Sequence, residues 1–194
     1  MDKMPSELPI LLFETQQALE EWLEQHHDTS LGIRLKIAKK NTGITSVTYS
    51  EALDIALCYG WIDSQKEAYD EQTWIQRFTP RKPNSIWSIV NKDKVELLIA
   101  KGRMKPSGLQ AIEAAQHYGQ WDKAYAPQSS ATIPEDFAAE LAFNDKAKAF
   151  YDTLNKQNKY AIIFRIHSAK KPETRVKRIQ QFITMLEKGE KIYP

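Results

Sequence analysis

A stretch rich in turn-favouring residues divides the chain into two parts with different sequence patterns. Residues 119–134 contain Gly119, Pro127, Gln128, Ser129, Ser130 and Pro134. Before this stretch, segments with the period of strands alternate with segments with the period of helices, whereas after it only helical periods remain. We therefore expect an α+β fold, with a mixed α/β part over residues 1–118, a linker over 119–134 and an all-helical part over 135–194.

Two segments of the first part predict an antiparallel hairpin. Residues 61–68 and 72–78 both have strand character, and a short acidic turn separates them. Residues 32–38 alternate apolar and basic side chains with a period of two, which indicates a half-exposed strand. Together these segments predict a mixed α/β part that contains an antiparallel hairpin.

Two serines are predicted to begin helices in this part. Ser50 precedes a helical apolar pattern that ends at Gly60, and Ser85 precedes a second pattern that runs to about Lys101. The side chains expected to face inward from the second helix are Ile86, Ile89, Val90, Leu97 and Leu98.

Composition limits the class of protein. With 42% apolar and 27% charged residues among 194, the chain resembles an ordinary globular protein. The single cysteine, Cys58, excludes an internal disulfide and is typical of a reducing compartment. The first nine residues lack the apolar core of a signal peptide, and no apolar run is long enough to span a bilayer. We therefore expect a cytoplasmic protein.

Charge is unevenly distributed. Residues 156–191 hold ten Lys or Arg and three Asp or Glu, a net charge of +7, and residues 1–155 carry −5. The basic helical face comprises Lys170, Lys171, Arg175 and Arg178. It could contact nucleic acid or another phosphate-bearing partner, or it could be a solvated surface.

The segment over residues 59–91 is the best candidate site. It holds three of the five tryptophans, four cations, among them Arg77, Arg81 and Lys82, and several small polar residues. Cations beside aromatic walls suit an anionic or planar ligand. The candidate ligand-binding residues are Trp61, Asp63, Arg77, Arg81, Lys82, Ser85, Trp87 and Asn91.

These residues admit three interpretations. Arg81 and Lys82 precede a predicted helix start, a geometry that favours an anion. Alternatively, a cross-strand salt bridge between Asp63 and Arg77 would make the segment a structural clamp. As an enzyme, the chain would use Asp63 as an acid or base, although a neighbouring arginine would hold that carboxylate ionised.

Other chemistry has no support in the sequence. The four histidines and one cysteine have no metal-ligand spacing, and no phosphate loop or nucleophile elbow is present. We expect neither a cofactor nor a metal, and no catalytic residue is assigned.

Several motifs resemble a known family. Residues 50–64, 77–82, 85–91, 102–104 and 169–179 are similar to the YdeI/OmpD-associated, or bacteriocin-protection, family. The resemblance extends over nearly the whole chain and implies an α+β first part and a helical second part. It also implies a stress-response role in tolerance to bacteriocins or cationic antimicrobial peptides, an association with an outer-membrane porin, and a place for Arg103 among the site residues.

The sequence therefore predicts a non-enzymatic binding protein. Its expected partner is a small anionic ligand, or a protein or peptide. Nucleic-acid binding through the basic helical face and an unrecognised enzyme using Asp63 and Arg77 remain the alternatives.

Overall fold

The computed structural model describes residues 8–169 and 171–194 and is α+β. It divides into two compact units, Met1–Ala124 and Tyr125–Pro194. The predicted fold class is confirmed, because the strands lie in the first unit and the described part of the second is helical.

The first unit contains a four-stranded sheet. Its strands are β1 (Ile10–Leu11), β2 (Ile33–Ala38), β3 (Trp61–Ala68) and β4 (Thr73–Pro80), in the spatial order β1-β2-β4-β3. β1 pairs parallel with β2, and the other pairs are antiparallel. The predicted hairpin is therefore β3–β4, with β3 at the edge of the sheet.

Four helices complete the first unit: α1 (Gln16–His26), α2 (Tyr49–Cys58), α3 (Ile89–Ala100) and α4 (Pro106–His117). One face of the sheet enters the core with these helices, because Ile33, Leu35 and Phe78 pack in one cluster with residues of all four. Alternation along β2 directs Arg34 and Lys36 to the other face.

Both predicted serine caps are corrected by the structure. Thr48 caps α2 instead of Ser50, because Thr48 and Glu51 form a reciprocal capping box. Ser88 caps α3 instead of Ser85, whose hydroxyl accepts from the Lys82 N–H at 2.9 Å and closes a turn.

The later start of α3 changes which side chains are buried. Its buried residues are Asn91, Val95 and Leu98. Of the five residues expected to face inward, only Leu98 does so; the other four, Ile86, Ile89, Val90 and Leu97, are exposed.

The second unit consists of α5 (Glu135–Ala142), α6 (Asp145–Thr153), α7 (Lys156–His167) and α8 (Pro172–Glu187). Its core combines one or more apolar residues from every helix, among them Phe137, Tyr151, Ile162, Ile166 and Leu186. Buried Asn158 joins this bundle to the end of the chain, because its Oδ1 accepts from the N–H groups of Ile192 and Tyr193.

Within the described ranges, no helix is both long and apolar enough to cross a membrane.

Candidate functional site

An open cavity of about 520 Å³ lies in the first unit where β4 ends and α4 begins. The wall on one side is the start of β3 with Gly60 and Trp61, and on the other it is one side of α4 with Ser107 and Gln110. The segment after β4 supplies Arg81 and Lys82. Its size falls within the range of pockets that take small ligands.

Two glycines allow close contact between the end of α2 and the start of α4. Gly60 has φ = +77°, and a Cβ there would lie 2.8 Å from the Ser107 carbonyl oxygen. A Cβ on Gly108 would lie 2.2 Å from the Cys58 carbonyl oxygen. Only residues without a side chain permit this approach of the α2 end to the first turn of α4.

Arg81 is held rigidly at the cavity. Its guanidinium carbon lies 3.6 Å from the centre of the Trp87 ring, and its Nη1 donates to the Ile86 carbonyl oxygen at 3.1 Å. Its backbone N–H donates to the Gly60 carbonyl at 2.9 Å. A planar cation that is already oriented loses little entropy when it binds an anion.

Further polar groups border the same cavity. His27 Nδ1 is 2.9 Å from the Leu23 carbonyl, which makes Nδ1 the protonated nitrogen. The Ser107 Oγ is buried and has no hydrogen-bond partner among the described residues. α4 begins without a side-chain cap, so its first-turn N–H groups lack acceptors from the helix itself. The wall therefore offers several donors and positive charge, opposed by Asp28.

Tyr59, also on the wall, belongs to a hydrogen-bonded pair. Its hydroxyl donates to Glu24 Oε2 at 2.5 Å, and Lys105 Nζ lies 3.7 Å from the same carboxylate. Burial, followed by the hydrogen bond to Glu24, raises the pKa of Tyr59 well above its usual value. The hydrogen bond from Tyr59 lowers the pKa of Glu24. Both shifts favour a protonated Tyr59 hydroxyl and an ionised Glu24, so the hydrogen bond between them orients this part of the wall near neutral pH.

Three of the candidate site residues lie together at this cavity. Trp61, Arg81 and Lys82 line it, and Trp87 lies beneath Arg81. Trp61 and Trp87 are core residues, 1% and 2% exposed. A ligand can therefore contact only an edge of Trp61, and the Arg81 side chain separates it from Trp87.

Asp63 and Arg77 lie elsewhere and do not form the expected salt bridge. Asp63 pairs with Phe78 across the hairpin and accepts from the Tyr49 hydroxyl at 2.8 Å. Arg77 lies opposite Arg34 on the other face of the sheet. The cause is a register shift between Asp63 and Lys66, because one extra residue moves Asp63 to the face opposite Arg77.

Ser85, Asn91 and Arg103 are also absent from the cavity wall in the part of the chain that the structure describes. Ser85 closes the turn with Lys82, and Asn91 is buried in α3. The Arg103 N–H donates to the Leu98 carbonyl at the end of α3.

The basic helical face is largely occupied by internal contacts. Arg175 forms two hydrogen bonds with the Asp136 carboxylate, at 2.6 and 2.8 Å, and a third with the Ile166 carbonyl. Arg178 donates to the Arg165 carbonyl and to Ser168 Oγ. Both arginines therefore satisfy carbonyls at the end of α7. Lys171 is exposed, and Lys170 lies outside the described residues.

His27, Tyr59, Ser107 and Gln110 border the cavity but were not candidates from the sequence. Glycine at 60 and 108 was the available signal, since buried glycines often mark close backbone contacts. Spacing along the sequence could not show that Gly60 lies against Ser107 and that Gly108 lies against Cys58.

Neither metal nor thiol chemistry emerges from the geometry. Over residues 8–169 and 171–194, no three His, Cys, Asp or Glu side chains form a metal-binding group. Burial raises the pKa of Cys58 to about 11, so its thiol is protonated at neutral pH.

Two family models match the chain. Residues 11–111 match the domain of unknown function DUF8412, and residues 130–189 match the family described as bacteriocin-protection, YdeI or OmpD-associated. No curated protein and no solved structure shows significant similarity. The resemblance to the YdeI/OmpD-associated family is confirmed over 130–189, while the first unit matches a separate model. The chain thus belongs to the DUF8412 family through its first unit, and residues 130–189 are similar to the YdeI/OmpD-associated family.

Proposed function

We propose that the protein is a non-enzymatic binding protein whose first unit holds a small anionic ligand in the cavity at Arg81. The observation that carries the proposal is the stacking of Arg81 on Trp87 at the rim of a cavity that also contains Lys82 and His27. An oriented guanidinium beside a second cation is a strong recognition element for phosphate or carboxylate.

The start of α4 supports the same ligand class. First-turn N–H groups of α4 favour negative charge near them.

The match of the second unit supports a role in tolerance to bacteriocins or antimicrobial peptides. We propose that this role is in the cytoplasm, which the single cysteine, free and buried, favours. Fractionation of cells that express a tagged chain tests the location, and recovery of the tag in the membrane fraction would contradict it.

Titration calorimetry with inorganic phosphate, sulfate, citrate and nucleotides tests the cavity directly. We expect at least one anion to bind and Arg81→Ala to weaken it about tenfold or more. Arg77→Ala is the matched control, because Arg77 lies on the other face of the sheet, and it should leave the affinity unchanged. Absence of binding, or equal losses in both variants, would refute the site.

Peptide tolerance is measured separately. In a host strain lacking the gene, expression of the chain should raise the inhibitory concentration of a cationic antimicrobial peptide. Arg81→Ala should lose that effect if the cavity serves this role, and Arg77→Ala should keep it.

A further inference from the structure

A second cavity, of about 650 Å³, lies at the other end of the hairpin. It is bounded by the end of β2, the loop that follows β2, the last residues of β3 and Trp74 of β4. None of its lining residues borders the cavity at Arg81. The two cavities are therefore separate features of the first unit.

This second cavity carries excess positive charge. Lys39, Lys40 and Lys66 line it, and within the described residues none of them forms an ion pair with a carboxylate. Lys39 donates instead to the backbone carbonyls of Asp70 and Glu71. Glu67, the acidic residue on the wall, is paired with Arg34 at 2.8 Å.

Aromatic surface accompanies this charge. Lys66 Nζ lies 4.4 Å from the centre of the Trp74 ring. The ring of Tyr49, also on the wall, is 6.2 Å from that of Trp74. Apolar side chains such as Ile37 and Val47 complete the lining. Three cations around an aromatic and apolar wall complement a ligand with an anionic group on an apolar body.

The edge strand argues for a discrete ligand over an added peptide strand. β3 is the outer strand, but its pairing shifts register between Asp63 and Lys66. Irregular pairing and an edge lysine both discourage strand addition.

We propose that this cavity is a second binding site, for a small amphipathic anion with one carboxylate, sulfonate or phosphate group on an aromatic or apolar body. The site is independent of the anion cavity at Arg81, since it uses other residues and a larger apolar surface.

The test uses 2-naphthoate and its neutral counterpart, 2-naphthamide. Proton–nitrogen NMR follows the indole N–H signal of Trp74, which is assigned from its loss in Trp74→Phe. We expect 2-naphthoate to shift this signal saturably and 2-naphthamide to bind about fivefold more weakly or worse. An unmoved Trp74 signal at millimolar naphthoate, or equal affinities for the two probes, would overturn the proposal.

Alanine variants of the lysines show which of them contribute to naphthoate binding. Lys66→Ala and Lys40→Ala should each weaken naphthoate about fivefold. Lys36→Ala is the matched control, because Lys36 pairs with Asp70 on the opposite face of the sheet. Arg81→Ala should leave the naphthoate-induced shift of the Trp74 signal unchanged, because Arg81 lines the other cavity. If Lys36→Ala and Lys66→Ala weaken naphthoate binding equally, general surface charge explains the result and the proposed site is refuted.

Discussion

Arg81 stacks on Trp87, and the segment that joins them forms a closed turn. The Lys82 N–H donates to Ser85 Oγ, and the Ser85 N–H donates to the Lys82 carbonyl at 2.8 Å. This turn folds the chain back, so that the Trp87 ring, six positions after Arg81, supports the Arg81 guanidinium at the cavity.

Arg81→Lys tests the stacking itself. Lysine keeps the charge but loses the planar group that covers Trp87, so we expect the free energy of unfolding to fall by about 0.5 to 1 kcal/mol. Urea denaturation measures this change. Arg77 stacks on no aromatic ring within the described residues, so Arg77→Lys should change stability less. Equal losses would show that the Trp87 contact adds nothing.

Gly108→Ala should destabilise the first unit although alanine favours helices. The helical gain is about 1 kcal/mol, but the added Cβ would lie 2.2 Å from a backbone oxygen that cannot move freely. Overpacking of this kind costs about 1 to 3 kcal/mol, so the clash should prevail. The neighbouring Ser107→Ala is the control and should be neutral or slightly stabilising, because it removes an unpartnered buried hydroxyl. Thermal unfolding distinguishes the two, and a stabilised Gly108→Ala would contradict the close contact.

Arg175→Ala should destabilise the second unit by about 1 to 3 kcal/mol, because Asp136 and the Ile166 carbonyl both lose a charged donor. Lys177→Ala, at an exposed position of the same helix, should have little effect. Denaturation of each variant provides the comparison.

The same contact predicts an acid dependence. Hydrogen bonding from Arg175 lowers the pKa of Asp136. A lowered folded pKa means that the stabilisation is fully present above the unfolded value of about 3.9 and is lost as the pH falls through the folded value. The stability difference between wild type and Arg175→Ala should therefore shrink at low pH to the contribution of the bond with the Ile166 carbonyl, which does not titrate. Parallel curves down to pH 2 would argue against the pair.

Cys58 should be inert in the folded protein. Its pKa is raised to about 11, mainly by burial, so the thiolate is scarce at pH 8. Ellman's reagent should react slowly in buffer and rapidly in denaturant. A native rate equal to that of an unfolded control would place Cys58 at the surface.

How much the sequence could predict varies with the kind of feature. The bounds of β3 follow from alternation and turn chemistry and were predicted correctly, and β4 ends two residues beyond its predicted bound. The cap of α2 was misplaced by two residues because Ser50 and Thr48 are both good caps, and only the reciprocal contact with Glu51 decides between them.

The hairpin register shows why the site itself was harder to predict. From Ala68 back to Lys66 the pairing is regular, and its continuation would place Asp63 opposite Thr79, on the face of Arg77. The extra residue between Lys66 and Asp63 breaks that continuation. A bulge depends on packing against the rest of the fold, so spacing along the strand could not reveal it.

The contact between Gly108 and Cys58 also sets the dimensions of the cavity at Arg81. Gly108 does not line the cavity, yet its missing side chain determines how closely α4 approaches the end of α2. We expect a larger residue at position 108 to move the start of α4 away from the end of α2 and so to change the width of the cavity, with every lining side chain kept the same. Position 108, which no ligand touches, could therefore determine the size of ligand that the cavity accepts.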